Sequence, residues 1–395
     1  MAQEIAVGID VGTYEVKVVI TLASETGGKR NTRIIGTGIA ESKGLRHGYI
    51  INKNEVAHSI RLAASQASKA ANGYPIKRAY ISIGGVGVGS FVSVGTVVIG
   101  RADLEITEED VKESMIEAEK AIPQSISINK KIVHSIPIGY RIDGKPTLGS
   151  PEGLKGTKLE SRVLFVMCLE NHLNDLIEAV EDAGILVADV MASPIAGSFV
   201  TLTKTQKIAG CVLANIGSET VSIIVYENGI PISLEVFPIG STDITNDIAL
   251  GLKVPLEEAE SIKRGGITGA TYPRKKLDEI VSARLSDIFE LIDSHLQKIG
   301  RSGMLPAGII ITGGGSGVGR IEDIARDALK LPSKIGRLEV ANGGKIQDSS
   351  WSVAHGLALA GLLSEDESTL AGIGVGKIAK KIWGKFLSWV KQFLP

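Results

Sequence analysis

Two stretches of the chain carry a hydrophobic β-branched run, a glycine-containing turn and a second hydrophobic run. The first is IAVGIDVGTYEVKVVITL at residues 5–22, and the second covers residues 208–236 and ends in a further turn at Glu227-Asn228-Gly229. This pattern is typical of β-hairpins rather than of a strand leading into a helix. Its recurrence predicts two similar halves, each beginning with a hairpin.

Helical periodicity alternates with further strands. A helix is predicted from its N-cap Asn54 to about Ala71, where Gly73 ends it. Residues 242–296 read as helical with Gly- and Pro-rich interruptions, and the strand GIIITGG precedes the helix IEDIARDAL. These alternations predict an α/β fold.

The chain changes character between residues 84 and 162. The run SFVSVGTVVIG reads as a strand, a helix capped by Thr107 follows, and KKIVHSIPIGYRI reads as another strand. From Arg162 the larger pattern is expected to resume with the strand RVLFVMCL. This segment therefore predicts a small inserted α/β subdomain.

Composition excludes several classes of protein. The 395 residues favour two domains, and 44% hydrophobic with 22% charged residues is ordinary for a globular chain. The net charge of −1 offers no global field for nucleic acid, so no nucleic-acid partner is expected. No cleavable leader and no apolar run of about 18 residues is present, so we expect neither secretion nor a spanning helix.

Residues 375–394 form an amphipathic pattern at the C-terminus. On a helical wheel the apolar residues gather on one half, and the lysines Lys377, Lys380, Lys381, Lys385 and Lys391 fill the other. A terminal helix docked on the protein's own core is the plain alternative. A lysine-only polar face with two tryptophans fits an anionic membrane surface better. Membrane contact is assigned to Ile378, Lys381, Ile382, Trp383, Phe386, Leu387, Trp389, Val390 and Phe393.

Three glycine-containing segments carry candidate chemistry. Gly8 to Thr13 and Ala214 to Thr220 are hairpin turns that can present backbone N–H groups to phosphate, and Thr312 to Ser316 lets backbone lie against a base or ribose. Each alone is more often only a turn. Their order and spacing together favour a nucleotide site.

In that order the segments are the signature of the actin-like ATPase superfamily, and nearly the whole chain resembles the bacterial cell-division protein family FtsA. The resemblance covers the runs SIGGVGVGSFVSVG, EITEEDVKESMIEAEKAI and SPEGLKGTKLE in the insertion, and DITNDIALGLKVPLEEAESIK beyond it. It implies an actin-like two-domain fold with a small inserted α/β subdomain and a C-terminal amphipathic helix. It also implies ATP and Mg²⁺ as ligands.

The resemblance assigns the nucleotide site residue by residue. Asp10 would hold hydrated Mg²⁺, and Glu260 and Lys263 would reach the ribose and base; a solvated ion pair is as compatible with their spacing. No catalytic residue can be named. The cofactor-binding candidates are Asp10, Gly12, Thr13, Tyr14, Lys17, Asn215, Gly217, Ser218, Glu260, Lys263, Gly313, Gly314, Gly315 and Ser316.

The second hairpin departs from the family's Asp-Ile-Gly-Gly-Gly-Thr pattern. Asn215 replaces the carboxylate, and Ser218 and Glu219 replace two glycines. An amide cannot supply charge toward Mg²⁺, and a carboxylate repels a γ-phosphate unless it is turned away. We expect at most a slow ATPase.

The resemblance also implies partners and a location. The protein would tether FtsZ filaments to the cytoplasmic face of the cell membrane at the division site, self-assemble into protofilaments and meet other divisome proteins. The FtsZ C-terminal peptide would dock on residues 228–303, where Arg284 and Asp287 are left available on an amphipathic helix; a surface ion pair that touches nothing is the alternative. A pilus-assembly protein of the same fold is the first alternative function, and a sugar or acetate kinase of the superfamily is the second.

The resulting domain plan has six parts. Residues 1–83 and 163–200 form the first actin-like domain around the insertion 84–162, and residues 201–363 form the second domain, including 228–303. A linker at 364–376 leads to the amphipathic helix at 377–395.

Overall fold

The computed structural model describes residues 4–26, 29–266, 272–338 and 348–368. Its first half begins with strands rich in β-branched residues and one long helix. These are β1 Glu4–Val11, β2 Glu15–Thr26, β3 Lys29–Glu41, β4 Leu45–Arg46, β5 Tyr49–Ile50, α1 Lys53–Ala70 and β6 Arg78–Ile83. The side chain of Asn52, rather than the predicted Asn54, accepts from the Glu55 N–H and caps α1.

The next segment contains the inserted elements and the return to the first half. They are β7 Gly89–Val98, α2 Glu108–Lys120, α3 Gln124–Ser127, β8 Lys130–Ile142, β9 Lys145–Thr147, β10 Lys158–Leu169, α4 Glu170–Asp182, β11 Leu186–Ala192, α5 Ser193–Thr201 and α6 Lys204–Ala209. The predicted cap of α2 is confirmed, because Thr107 and Asp110 form a reciprocal capping box.

The second half repeats the pattern of the first. Its elements are β12 Cys211–Ile216, β13 Val221–Glu227, β14 Ile230–Phe237, α7 Ser241–Leu252, α8 Leu256–Lys263, α9 Arg274–Lys298, β15 Ile309–Thr312, α10 Ile321–Leu329, β16 Ser333–Ile335 and α11 Ser352–Ser368. The predicted turn between β13 and β14 is confirmed, with left-handed backbone at Asn228 and Gly229.

Two five-stranded sheets share one topology. Their orders are β11-β6-β1-β2-β3 and β14-β13-β12-β15-β16. In each, three antiparallel strands are followed by two parallel ones. In the first sheet β6 pairs with β1 and β11 with β6, and in the second β15 pairs with β12 and β16 with β15. The prediction of two similar halves is confirmed.

The insertion has its own sheet and core. Its strands run in the order β7-β10-β8-β9, and α2 packs on it around the buried residues Met115, Leu159 and Phe165. The expected return to the first half at Arg162 is wrong, because β10 pairs with β7 and β8 as far as Met167 and with β8 up to Leu169. An apolar strand has the same composition in either sheet, so the sequence does not mark this change.

Both cysteines, Cys168 and Cys211, are buried and unpaired. The expected linker at residue 364 is also partly wrong, since α11 continues to Ser368. No helix in the described ranges is long and apolar enough to cross a bilayer. The remaining domain bounds stay predictions.

Candidate nucleotide cleft

Two equivalent hairpin turns lie on opposite walls of one cleft. The turn between β1 and β2 is closed by the Gly12 N–H donating to the Glu15 carbonyl at 3.2 Å. The turn between β12 and β13 is closed in the same way, from the Gly217 N–H to the Thr220 carbonyl at 2.8 Å. Because both turns follow the first strand of a related sheet, the fold brings them to matching positions.

The cleft has a volume of about 530 Å³. Every candidate nucleotide residue from the sequence lines it except Gly315, which is buried behind the wall against Ile216. The structure thus brings together segments that are about two hundred residues apart along the chain. That they bind a nucleotide stays a prediction.

Asp10 supplies a carboxylate on the first wall. The Ser82 hydroxyl donates to Asp10 Oδ1 at 2.7 Å. Burial raises the pKa of Asp10, while the Ser82 hydrogen bond and the Lys17 charge oppose that rise. Lys17 is itself buried and pairs with Glu15 at 2.8 Å. A carboxylate held in this way gains from a nearby cation, which fits Mg²⁺ that keeps most of its water ligands.

On the second wall, Asn215 occupies the place on β12 that Asp10 has on β1. Its amide oxygen lies against Gly313, where an added Cβ would come within 2.2 Å. Gly313 has a φ of 90°, which only glycine adopts without strain. The tight turn therefore depends on glycine at this position.

Glu219 is turned away from the cleft. Its Oε2 accepts a 2.5 Å hydrogen bond from the backbone N–H of His47, and its own carbonyl lies 3.4 Å from His47 Nδ1. The residue does not line the cavity, although its neighbours Ser218 and Thr220 do. The repulsion that a carboxylate in this hairpin threatens is thereby reduced.

A network of charged groups forms the far end of the cleft. Glu260 pairs with Lys263 at 2.6 Å and with Arg264 at 2.7 Å, and it accepts from Thr245 at 2.6 Å. Burial works against ionisation of Glu260, but the hydrogen bonds from Lys263, Thr245 and Arg264 outweigh it and lower its pKa to about 2. The Lys263 side chain is only 8% exposed, so the solvated-pair alternative is wrong for this lysine.

The cleft also holds residues that sequence reasoning missed. Arg264 reaches across from α8 to the first wall, with its Nη2 3.5 Å from the Tyr14 hydroxyl and its guanidinium 5.8 Å from the Tyr14 ring. Ser82 and His172 line the cavity as well. The position of Ser82 near the carboxyl end of a strand parallel to β1 was the one available signal.

Arg284 is less available than the sequence suggested. Its guanidinium donates to both carboxylate oxygens of Asp247 on α7, at 2.7 and 3.2 Å, and lies 3.2 Å from Asp287. This arginine is therefore paired with a carboxylate on α7 that the sequence spacing could not reveal, and its contact with a partner stays a prediction. Asp287 keeps 56% of its side chain exposed. The predicted membrane-binding residues lie outside the described residues.

The paired sheets and the cleft between them define an actin-like α/β protein. The fold resembles that of a PilM-PilN type IV pilus biogenesis complex, with a TM-score of 0.67 and 17% identity over 90% of this chain and 98% of that one. It also resembles MreB5 of Spiroplasma citri bound to ADP, with a TM-score of 0.52 and 11% identity over 93% and 98%. Likeness at these identities concerns the fold alone, so it does not favour the pilus-assembly alternative.

Sequence relatives define the family. A model described as "Cell division protein FtsA" matches residues 212–356, and one described as "SHS2 domain inserted in FTSA" matches residues 85–167. The chain is 32% identical to the FtsA of Borreliella burgdorferi, over 91% of each chain. It is 30% identical to that of Bacillus subtilis, over 83% of this chain and 77% of the relative. The chain belongs to the FtsA family of bacterial cell division proteins.

Proposed function

We propose that this protein is an ATP-binding, actin-like adaptor that tethers FtsZ filaments to the cytoplasmic membrane during bacterial division. The observation that carries the proposal is the pair of equivalent hairpins facing each other across one cleft, in a chain of the FtsA family. Nucleotide sites of this kind hold phosphate on backbone N–H groups from both sides.

The described residues suit ATP with Mg²⁺. The turns at Gly12-Thr13 and Gly217-Ser218 would hold the phosphates, and Asp10 would accept hydrogen bonds from water on Mg²⁺. Bound Mg²⁺ would neutralise phosphate charge. At the other end, Glu260 and Lys263 would meet the ribose and base, and the exposed Gly314 leaves open space for a flat ring. The solved MreB5 with ADP supports nucleotide as the ligand class.

Hydrolysis would be slow. Asn215 on the second wall occupies the place that Asp10 has on the first. Its side chain is an uncharged amide, so Asn215 supplies no charge toward a metal ion. ATP would then act by holding the two halves together, and so favour self-assembly into protofilaments. The protein would serve as an adaptor more than as an enzyme.

The tether has two ends. The exposed Asp287, with Arg284 beside it on α9, would bind the FtsZ C-terminal peptide within residues 228–303. The lysine-rich amphipathic segment at 377–395 would bind anionic lipid on the cytoplasmic face at the division site. Other divisome proteins would join this assembly.

Titration calorimetry tests the nucleotide part of the proposal. ATP with Mg²⁺ should bind at one site per chain, and chelation of Mg²⁺ should weaken the binding because Asp10 then faces the phosphates without a cation between them. GTP serves as the comparison ligand. If ATP produced no heat of binding at concentrations up to the millimolar range that is found in cells, the cleft would be ruled out as an ATP site.

A further inference from the structure

Two short segments of the chain connect the inserted subdomain to the body of the molecule and form a neck. We define the neck as residues 84–88, which enter the insertion after β6, and residues 169–172, which leave it after β10. The two segments contact each other, because His172 Nε2 donates a hydrogen bond to the Gly84 carbonyl at 3.1 Å. The covalent connections between the insertion and the first half run through these residues.

The loop between β4 and β5, residues His47 and Gly48, packs against this neck. The Val86 N–H donates to the His47 carbonyl at 3.2 Å. Gly48 and Gly85 approach so closely that a Cβ on Gly48 would lie 2.3 Å from Gly85 Cα. Tyr49 continues the contact, with its ring 5.2 Å from that of His172. The loop and Tyr49 of β5 together therefore contact both segments of the neck.

The same loop reaches across the cleft to the second hairpin. The His47 N–H donates to Glu219, and His47 holds a left-handed backbone with a φ of 49° that is uncommon for a residue other than glycine. Glu219 belongs to the turn that also includes Gly217 and Ser218. The carbonyls of those two residues accept from Ser241 and Thr242 at the start of α7.

A continuous set of contacts thus links the cleft to the insertion. In the cleft, Lys263 donates to the Ser241 carbonyl at 3.1 Å, and the start of α7 is hydrogen-bonded to the second hairpin. Glu219 of that hairpin accepts from the His47 N–H, and the His47 carbonyl accepts from Val86. We propose that Glu219 is a positioning residue that couples occupancy of the second hairpin to the orientation of the inserted subdomain. This inference rests on the proposed nucleotide function, since nucleotide would supply the occupant.

A second connection has to be separated from this one. Ser90, at the start of β7, donates to and accepts from the backbone of Leu234 on β14, at 2.9 and 2.7 Å. The insertion could therefore follow the second half directly. Variants of Glu219 leave the Ser90 contact intact, so they isolate the route through His47.

Hydrogen–deuterium exchange of the nucleotide-free protein tests the link itself. Glu219→Ala removes the acceptor, so amide exchange at His47 and along residues 84–88 should quicken about fivefold, the size expected for one lost hydrogen bond. Glu219→Gln keeps an oxygen acceptor and should stay near the wild type. Glu257→Ala removes an exposed carboxylate on α8 and serves as the matched control. Unchanged exchange in the neck of Glu219→Ala would overturn the proposal.

Addition of ATP with Mg²⁺ tests the coupling. In the wild type, protection should rise at residues 217–220 and also in the neck; in Glu219→Ala it should rise at residues 217–220 alone. Protection of the neck in both proteins would overturn Glu219 as the coupling residue and assign the route to Ser90. An absence of protection at residues 217–220 in the wild type would overturn the nucleotide function and the coupling with it, while the nucleotide-free comparison would still report on the link.

Discussion

Among single residues, Asn215 has the clearest chemical consequence. Asn215→Asp restores a carboxylate of nearly the same shape opposite Asp10, so the contact with Gly313 is retained. We expect stronger Mg²⁺ dependence of ATP binding and faster hydrolysis, measured by phosphate release. Asn215→Ala, which adds no charge, should not increase either. A wild-type turnover near that of an ordinary enzyme, about 10 per second, would contradict this account.

Two neighbouring glycines separate folding from binding. Gly313→Ala places a Cβ within 2.5 Å of the Ile216 carbonyl at a left-handed φ, so it should lower the thermal midpoint of the nucleotide-free protein. Gly314→Ala meets nothing within 4 Å, so its midpoint should match the wild type while ATP affinity falls. Gly319→Ala, equally unhindered but absent from the cleft lining, is the control. Unchanged ATP affinity in Gly314→Ala would place the base elsewhere.

Of the 14 residues predicted for the nucleotide site, 13 line the cleft, because glycines and a carboxylate at hairpin turns are local signals. The sequence did not predict the partner of Glu219, since His47 lies 172 positions away and makes its contact through a backbone N–H. Likewise, the pairing of Arg284 with Asp247 joins two helices that no local pattern connects. Contacts of this kind depend on how the halves pack.

Among the helices, α9 carries the proposed FtsZ contact. Arg284→Glu should reduce the affinity for a labelled FtsZ tail peptide in fluorescence anisotropy, and Asp287→Ala should weaken it without disturbing Asp247. Arg326→Glu on α10 alters a comparable exposed pair, 3.1 Å from Asp323, and should leave affinity unchanged. Because Arg284→Glu places a second carboxylate against Asp247, the thermal midpoint of this variant is measured as well, so that a loss of stability is distinguished from a loss of binding. Wild-type affinity in both α9 variants would move the contact elsewhere on residues 228–303.

The C-terminal segment makes its own prediction from the sequence. Removal of residues 372–395 should release the protein from anionic vesicles in a pelleting assay, since each lysine contributes about 1 kcal/mol near the surface. Trp383→Glu should weaken binding strongly because it places a charge on the apolar face. Ser388→Glu makes the same charge change on the polar face and should have a smaller effect. Equal pelleting of truncated and intact protein would refute the anchor.

The element boundaries show where sequence patterns stop being informative. Thr107 and the Asn228-Gly229 turn were predictable because caps and tight turns require particular residues. The continuation of β10 to Leu169 was not, because a fully buried apolar strand fits either sheet. Asn52 and Asn54 are equally good capping residues, and the backbone geometry selects Asn52.

For the molecule as a whole, the duplicated sheets make the proposed nucleotide site depend on both halves. Each half contributes one hairpin to the cleft, and the contacts between the halves include Tyr14 with Arg264 and His47 with Glu219. The repeated hairpin pattern predicted this architecture. The tether would act through two separate regions, α9 in the second half and the segment at 377–395.

Recruitment of FtsZ filaments to anionic vesicles tests the adaptor function most directly. Vesicles, polymerised FtsZ and this protein with ATP are mixed and centrifuged. The centrifugal force is chosen so that FtsZ filaments that are not bound to vesicles stay in the supernatant. The account predicts that FtsZ pellets with vesicles only when the intact protein is present, and that it stays in the supernatant with the protein lacking residues 372–395 or with Arg284→Glu. FtsZ that remains in the supernatant with the intact protein, or that pellets equally well with the truncated one, would contradict the account.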